Sequence, residues 1–124
     1  MCIRDSPIPI WMGAGAPGTP VGPNRVLRRV GRMADGYFPL CEAGDTARNL
    51  IETVKQYAQE AGRNPDDLKI EGRIELTGTP EDWQAQLAAW ENLGADAVSI
   101  GTARAPFNTP DEHIQAIKTF KDIM

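Results

Sequence analysis

Six residues near the start of the chain, Gly13-Ala14-Gly15-Ala16-Pro17-Gly18, satisfy the G-x-G-x-x-G spacing letter for letter, directly after the apolar run Pro7 to Met12. Glycines after a strand leave main-chain N–H groups unscreened by side chains, and such amides bind anions. Three structures meet that description. In a dinucleotide fold the helix opens inside the glycine motif, so that its first amides point at a pyrophosphate. Here Pro17, Pro20 and Pro23 interrupt the segment and the first good capping residue is Asn24, although Glu42 after the next strand would serve as a ribose partner. The second possibility is a tight loop that needs glycine only for its backbone angles. In the third, the amides of Gly13, Ala14 and Gly15 form an anion site at the carboxyl end of a barrel strand.

Other residue types are sparser. Thr77, Thr102 and Arg104 fall at or just past the ends of expected strands, where barrel active sites are built, and Arg104 is the candidate contact for an anionic substrate or cofactor tail. Glu71, Arg73 and Glu75 alternate along one strand, as a paired network on an inner barrel face or as an exposed edge. His113 has no carboxylate or cysteine placed to complete a triad or a metal site and is expected to face solvent. Cys41 reads as a small apolar group, and Arg28 and Arg29 as a solvated or subunit-facing helix surface. No catalytic nucleophile and no metal site is read from the sequence.

These residues need a scaffold, and the hydrophobic pattern supplies four strand-then-helix units. The expected strands are Pro7 to Met12, Tyr37 to Leu40, Lys69 to Leu76 and Ala97 to Ile100. Between them, Val26, Leu27, Val30, Met33 and Ala34 form one apolar helix face capped by Asn24. A longer helix is capped by Asp45 and closed by Gly62; its stripe is Leu50, Ile51, Val54, Tyr57, Ala58 and Ala61. Thr79-Pro80-Glu81-Asp82 and Thr109-Pro110-Asp111-Glu112 are helix starts, the helices burying Trp83, Leu87, Ala89, Trp90 and Leu93, and Ile114, Ile117 and Phe120, respectively. Strands about thirty residues apart with a helix between each pair imply right-handed crossovers and a parallel sheet.

The 124 residues allow one domain, and 41% hydrophobic with 24% charged residues is ordinary globular composition. No apolar run reaches the roughly 20 residues of a membrane span, and a net charge of −4 with basic clustering only at Arg25, Arg28, Arg29 and Arg32 argues against a nucleic-acid groove. Two cysteines without metal-like partners fit a reducing, cytoplasmic setting. The opening Met1 to Ser6 has no signal-peptide pattern and reads as a non-native leader, leaving residues 7–124 as the domain.

The segments "PIPIWMGAGAP", "RVLRRVGRMADGYFPL" and "AQEAGRNPDDLKI" resemble the C-terminal half of the luciferase-like monooxygenase superfamily, flavin- and deazaflavin-dependent (β/α)8 TIM barrels. The most specific part is Leu27-Arg28-Arg29 through Asp35-Gly36 joined to Ala61-Gly62-Arg63-Asn64-Pro65. Ala14 stands where the family commonly has a second glycine. The resemblance implies an oxidoreductase using coenzyme F-420, or alternatively FMN, for hydride transfer to a small-molecule substrate. The coenzyme phosphate would lie on the amides of Gly13, Ala14 and Gly15. Proton donors and most ring contacts belong to the absent N-terminal half, so this chain alone is expected to be inactive. Four units are half a barrel, and the expected partner is the missing N-terminal half-barrel or a second copy. The alternatives are a non-enzymatic half-barrel module that dimerises and a small dinucleotide-binding α/β domain.

Overall fold

The computed structural model describes residues 7–15 and 22–124. The expected leader, residues 1–6, and the centre of the glycine loop, residues 16–21, lie outside the described residues. Four strands, β1 (Trp11–Ala14), β2 (Gly36–Pro39), β3 (Lys69–Glu75) and β4 (Ala97–Gly101), form one sheet in the order β1-β2-β3-β4, every neighbouring pair parallel. Four helices alternate with them: α1 (Asn24–Met33), α2 (Asp45–Glu60), α3 (Pro80–Asn92) and α4 (Pro110–Ile123). Parallel neighbours require such crossovers, because a chain that leaves the top of one strand must return to the bottom of the next.

Local chemistry accounts for most boundaries. Thr79 and Thr109 each accept the N–H of the residue three positions on, Asp82 and Glu112, whose carboxylates return to the threonine N–H. Proline at the next position needs no N–H partner there. Gly62 and Gly94 follow helices with φ of 79° and 81°. Two expected caps fail: Asn24 and Asp45 are already helical, preceded by Pro23 and Gly44 without a side-chain cap. The first strand also begins later than expected. Pro7 to Ile10 stay outside the ladder, where prolines cannot donate, so the strand takes in Gly13 and Ala14 instead.

One device recurs at the strand starts. The Asp35 carboxylate accepts the Ile10 N–H at 2.8 Å while the Asp35 N–H donates to the Ile10 carbonyl at 2.8 Å. Asp96 does the same to Ile70, at 2.9 and 2.8 Å. Each aspartate thus clamps the opening of its strand to the strand beside it. The Arg63 guanidinium donates to the carbonyls of Gly31 and Ala34 at 2.5 and 2.7 Å, satisfying the end of α1, whose last carbonyls have no helical partner.

The sheet has two unlike faces. Tyr37, Ile70, Ile74 and Leu76 are buried under the helices with Leu27, Val30, Leu50, Val54, Trp83 and Trp90. Trp90 lies flat over Gly72, its ring where a side chain would stand, and donates its indole N–H to the Arg73 carbonyl at 3.1 Å. The opposite face carries Glu71, Arg73 and Glu75, in register with Ala97, Ser99 and Gly101. There Arg73 Nε and Nη2 approach one oxygen of Glu75 at 2.8 and 2.7 Å, and the pair rests over Gly101, whose missing Cβ would stand 2.7–2.8 Å from its atoms.

The two glycines separate two kinds of close approach. Gly72→Ala forces an indole out of a packed core and is expected to cost about 1–3 kcal/mol, read from the urea unfolding midpoint. Gly101→Ala displaces only the flexible ends of a half-exposed ion pair; it is expected to cost under about 1 kcal/mol while shifting the Arg73 Nε–H resonance in NMR spectra. A second expectation concerns Tyr37, whose hydroxyl is buried with no hydrogen-bond partner among the described residues. Burial, and secondarily the neighbouring Cys41, push its ionisation from 10.0 up to about 12. Because the folded value lies above the unfolded one, stability holds below pH 10 and declines as pH rises towards 12. Tyr37→Phe is expected to remove that part of the alkaline decline, measured as urea midpoint against pH, without lowering stability at neutral pH, since it deletes an unpaired buried hydroxyl.

Candidate functional site

Since all strands are parallel, the segments that leave them emerge at one end of the sheet: Gly15 after β1, Leu40 to Gly44 after β2, Thr77 and Gly78 after β3 and Thr102 to Ala105 after β4. A cleft of about 940 Å³ opens there. The loop from Leu40 into the start of α2 forms one wall, the first turns of α3 another, and Arg73 and Glu75 rise into it from the sheet; Arg104 stands at its rim.

The sequence places each of these by a simple local rule. Ile70, Gly72 and Ile74 alternate with Glu71, Arg73 and Glu75 on β3, so burying the apolar set under helices turns the charged set to the other side. The carbonyl of Thr77 accepts the Trp83 indole N–H at 2.8 Å, tying the loop after β3 to α3. The Ala105 N–H donates to the Thr102 carbonyl at 3.2 Å, closing the turn that carries Arg104.

Four carboxylates, Glu42, Asp45, Glu75 and Asp82, and two guanidinium groups, Arg73 and Arg104, line the cleft, a net charge of −2. Most are engaged elsewhere. Glu75 holds Arg73, Asp82 caps α3, and Asp45 faces Arg48 at 3.6 Å on the surface. Among the described residues Arg104 forms no ion pair, so its guanidinium is the cation at this rim left free for a ligand. The second oxygen of Glu75 is buried without a hydrogen-bond partner among the described residues. Burial, with Glu42 beside it, pushes the Cys41 thiol up from its ordinary 9.0, which keeps it protonated at neutral pH and suits a packing group better than a nucleophile.

The expected site residues separate in space. Arg104 joins the cleft, together with Arg73, Glu75 and Thr77. Gly13, Ala14 and Gly15 lie towards the same end of the sheet but do not line it. Gly13 and Ala14 stand within β1, opposite Phe38 and Pro39, so the tripeptide is not one continuous loop of bare amides. Only Gly15 lies past the strand, and its φ of 99° is open to glycine and to almost nothing else. Among the described residues helix begins again only at Asn24. His113 is half-buried, its ring edge-on to Phe107 at 5.2 Å and 82°, and not solvent-facing as its position suggested. Arg28 lies 5.4 Å over the Tyr57 ring, a cation–π contact between α1 and α2. The walls from Leu40 to Thr46 and around Asp82 were missed from sequence; their only signal is that they follow strand ends.

Among the described residues no helix is long and apolar enough to cross a membrane, and no cluster of three or more His, Cys, Asp or Glu side chains could hold a metal ion. No family model matches the chain. Over 99 residues, 77% of its length, the chain is 29% identical to the F420-dependent glucose-6-phosphate dehydrogenase of Mycolicibacterium gilvum, of which it covers 27%. In fold it is similar to the coenzyme F420-dependent tetrahydromethanopterin reductase of Methanopyrus kandleri, with a TM-score of 0.64 and 13% identity over 90% of this chain and 48% of that one. It therefore spans about a quarter of the curated relative and about half of the solved one. The four parallel βα units, the match in sequence and the shared fold together bear out the resemblance read from the motifs, that of a half-barrel of the luciferase-like superfamily.

Proposed function

We propose that the chain contributes half of a TIM-barrel oxidoreductase that uses coenzyme F-420 to transfer hydride to or from a small-molecule substrate. The reading is supported by the sequence match to one F420-dependent enzyme and by the cleft at the carboxyl ends of the strands, where parallel barrels bind their ligands. The observation that carries it is Arg104, a guanidinium at that rim engaged by no carboxylate among the described residues. A deazaflavin coenzyme bears an anionic tail, and Arg104 fits such a group by a charge-assisted hydrogen bond. Gly15, at positive φ towards the same end, turns the backbone without a Cβ and adds main-chain polar groups beside Gly13 and Ala14.

When bound, the coenzyme supplies the hydride chemistry. The residues of this chain bind and orient. Arg73, held by Glu75, sets the polar floor of the cleft, and Trp83 and Pro39 add apolar lining. No residue here is assigned as proton donor or nucleophile, which is why turnover is expected to require the other half of a barrel. In this reading residues 7–124 make up the half-barrel domain, with the cytoplasm as its setting. FMN is the competing cofactor, and a monooxygenase the competing chemistry.

Titration of the chain with coenzyme F-420 and with FMN, followed by the fluorescence of each, tests the reading. F-420 is expected to bind, and Arg104→Gln to weaken it about tenfold to a hundredfold, the effect of one charged hydrogen bond. Saturation by FMN in preference to F-420, or by neither, overturns it.

A further inference from the structure

Arg73 and Glu75 stand two positions apart on β3, on the face of the sheet away from the helices, and both line the cleft. Arg73 turns Nε and Nη2 onto one oxygen of Glu75, at 2.8 and 2.7 Å. Two donors of the guanidinium are thus committed to a single acceptor, and its other nitrogen, Nη1, takes no hydrogen bond among the described residues. The second oxygen of Glu75 is buried without a donor among the described residues, although the side chain as a whole is 23% exposed.

Stability alone gives no reason for this arrangement. A surface ion pair contributes little, a guanidinium and a carboxylate left to themselves pair through both oxygens, and a buried acceptor without a donor costs free energy. Here the carboxylate lies against Gly101, its register partner on β4, where a Cβ would stand 2.7 Å from the orphan oxygen and 2.8 Å from Arg73 Nη2. The glycine lets the carboxylate sink onto the neighbouring strand, and the carboxylate in turn fixes the plane of the guanidinium. What the arrangement secures is the direction of Arg73, whose side chain is 45% exposed at the floor of the cleft.

Arg104 follows Gly101 by three residues, in the turn closed between Thr102 and Ala105, and lines the same cleft with no ion pair among the described residues. One guanidinium therefore approaches the cavity from the floor and one from the rim. A carboxylate presents two oxygens in one plane, whereas a tetrahedral phosphate group presents an oxygen to each, and the arginine fork suits it.

We propose that Arg73 is a second anion-binding residue of the cleft, acting with Arg104 on a phosphate group of the bound ligand, and that Glu75 and Gly101 are positioning residues that aim its free edge. The inference deepens the reading given above and rests on it only for the molecule to which the phosphate belongs, the coenzyme or the substrate.

Inorganic phosphate is the probe, titrated into the isotope-labelled chain while the Nε–H resonances of Arg73 and Arg104 are followed by NMR. Both are expected to move with one dissociation constant. Arg73→Lys keeps the charge and loses the fork, and is expected to raise that constant about tenfold. Glu75→Ala separates aiming from simple electrostatics. Deleting a carboxylate beside a cation tightens anion binding where charge alone matters; release of an aimed guanidinium weakens it, by about threefold to tenfold for one newly mobile side chain. Glu75→Gln keeps an accepting oxygen and is expected to bind at least as tightly as the native chain. Gly101→Ala alters no charge and no donor, yet is expected to raise the constant about threefold by moving the pair off its seat. Lys118→Gln, on exposed α4, removes one positive charge away from the cleft and is expected to change nothing. The amide spectrum of each variant separates a lost site from a lost fold, and where Glu75→Ala loses the fold Gly101→Ala carries the same comparison. Resonances that phosphate does not move, a tighter constant in Glu75→Ala, or phosphate binding in Arg73→Lys equal to the native chain's each overturn the proposal. Coenzyme F-420 added to the phosphate-saturated chain distinguishes the sources: competition assigns the phosphate to the coenzyme, and simultaneous binding assigns it to the substrate. Phosphate binding with no binding of F-420 leaves this site standing and overturns only the coenzyme reading.

Discussion

All four strands run the same way, and nearly everything else about this chain depends on that. A parallel sheet forces each connection to cross its whole length, so helices must cover one face and every strand-exit loop must emerge at one end. The cleft, Arg104, Gly15 and the loop of Cys41 are gathered there by direction alone; they come from stretches of sequence far apart. Among the described residues the outer strands β1 and β4 each pair on one side only.

The motifs that carry the family resemblance turn out to be structural where they are most specific. Arg63 of the Ala-Gly-Arg segment ends α1 by bonding the carbonyls of Gly31 and Ala34, and Gly31 lets α1 approach α2 so closely that a Cβ would stand 2.6 Å from the Tyr57 side chain. Asp35 of the Ala-Asp-Gly segment clamps Ile10, and Asp96 repeats the clamp on Ile70. A chain built from repeated βα units solves one problem twice: how to hold the start of a strand to its neighbour before any helix has covered it. Large groups seated on bare backbone are the second recurring solution. Trp11 covers Gly36, Trp90 covers Gly72, and the Arg73–Glu75 pair covers Gly101. In each case a glycine on one strand is the condition for a bulky neighbour.

Much of this was legible in advance, for physical reasons that differ by element. The clean alternation on β3 and the Thr-Pro-acid starts of α3 and α4 were readable because pleat and cap are local rules, settled within a few residues. Asn24 and Asp45 misled because a capping residue type says nothing about whether the turn before it is already helical. The first strand was placed too early because apolar content was weighed above the prolines that keep residues 7–10 out of a ladder. The repeated Ala-Asp before β2 and β4, at Ala34-Asp35 and Ala95-Asp96, is visible in the letters, but that each carboxylate takes an N–H of the neighbouring strand shows only in the fold. The failure of Ile114 and Ile117 to be buried is of another kind: periodicity reports which face is apolar, not whether anything covers it.

The sequence by itself determined the elements, their alternation, their parallel direction and the side of β3 that is charged, because each of these follows from patterns shorter than one helix. It could not determine which strand ends share a cleft. Arg104 and Glu75 meet Cys41 and Asp82, while Gly13 and Ala14 are drawn into the edge of the ladder away from them. That division depends on the register of four strands and on where each helix docks, and register is fixed by contacts between residues tens of positions apart, which no local pattern encodes.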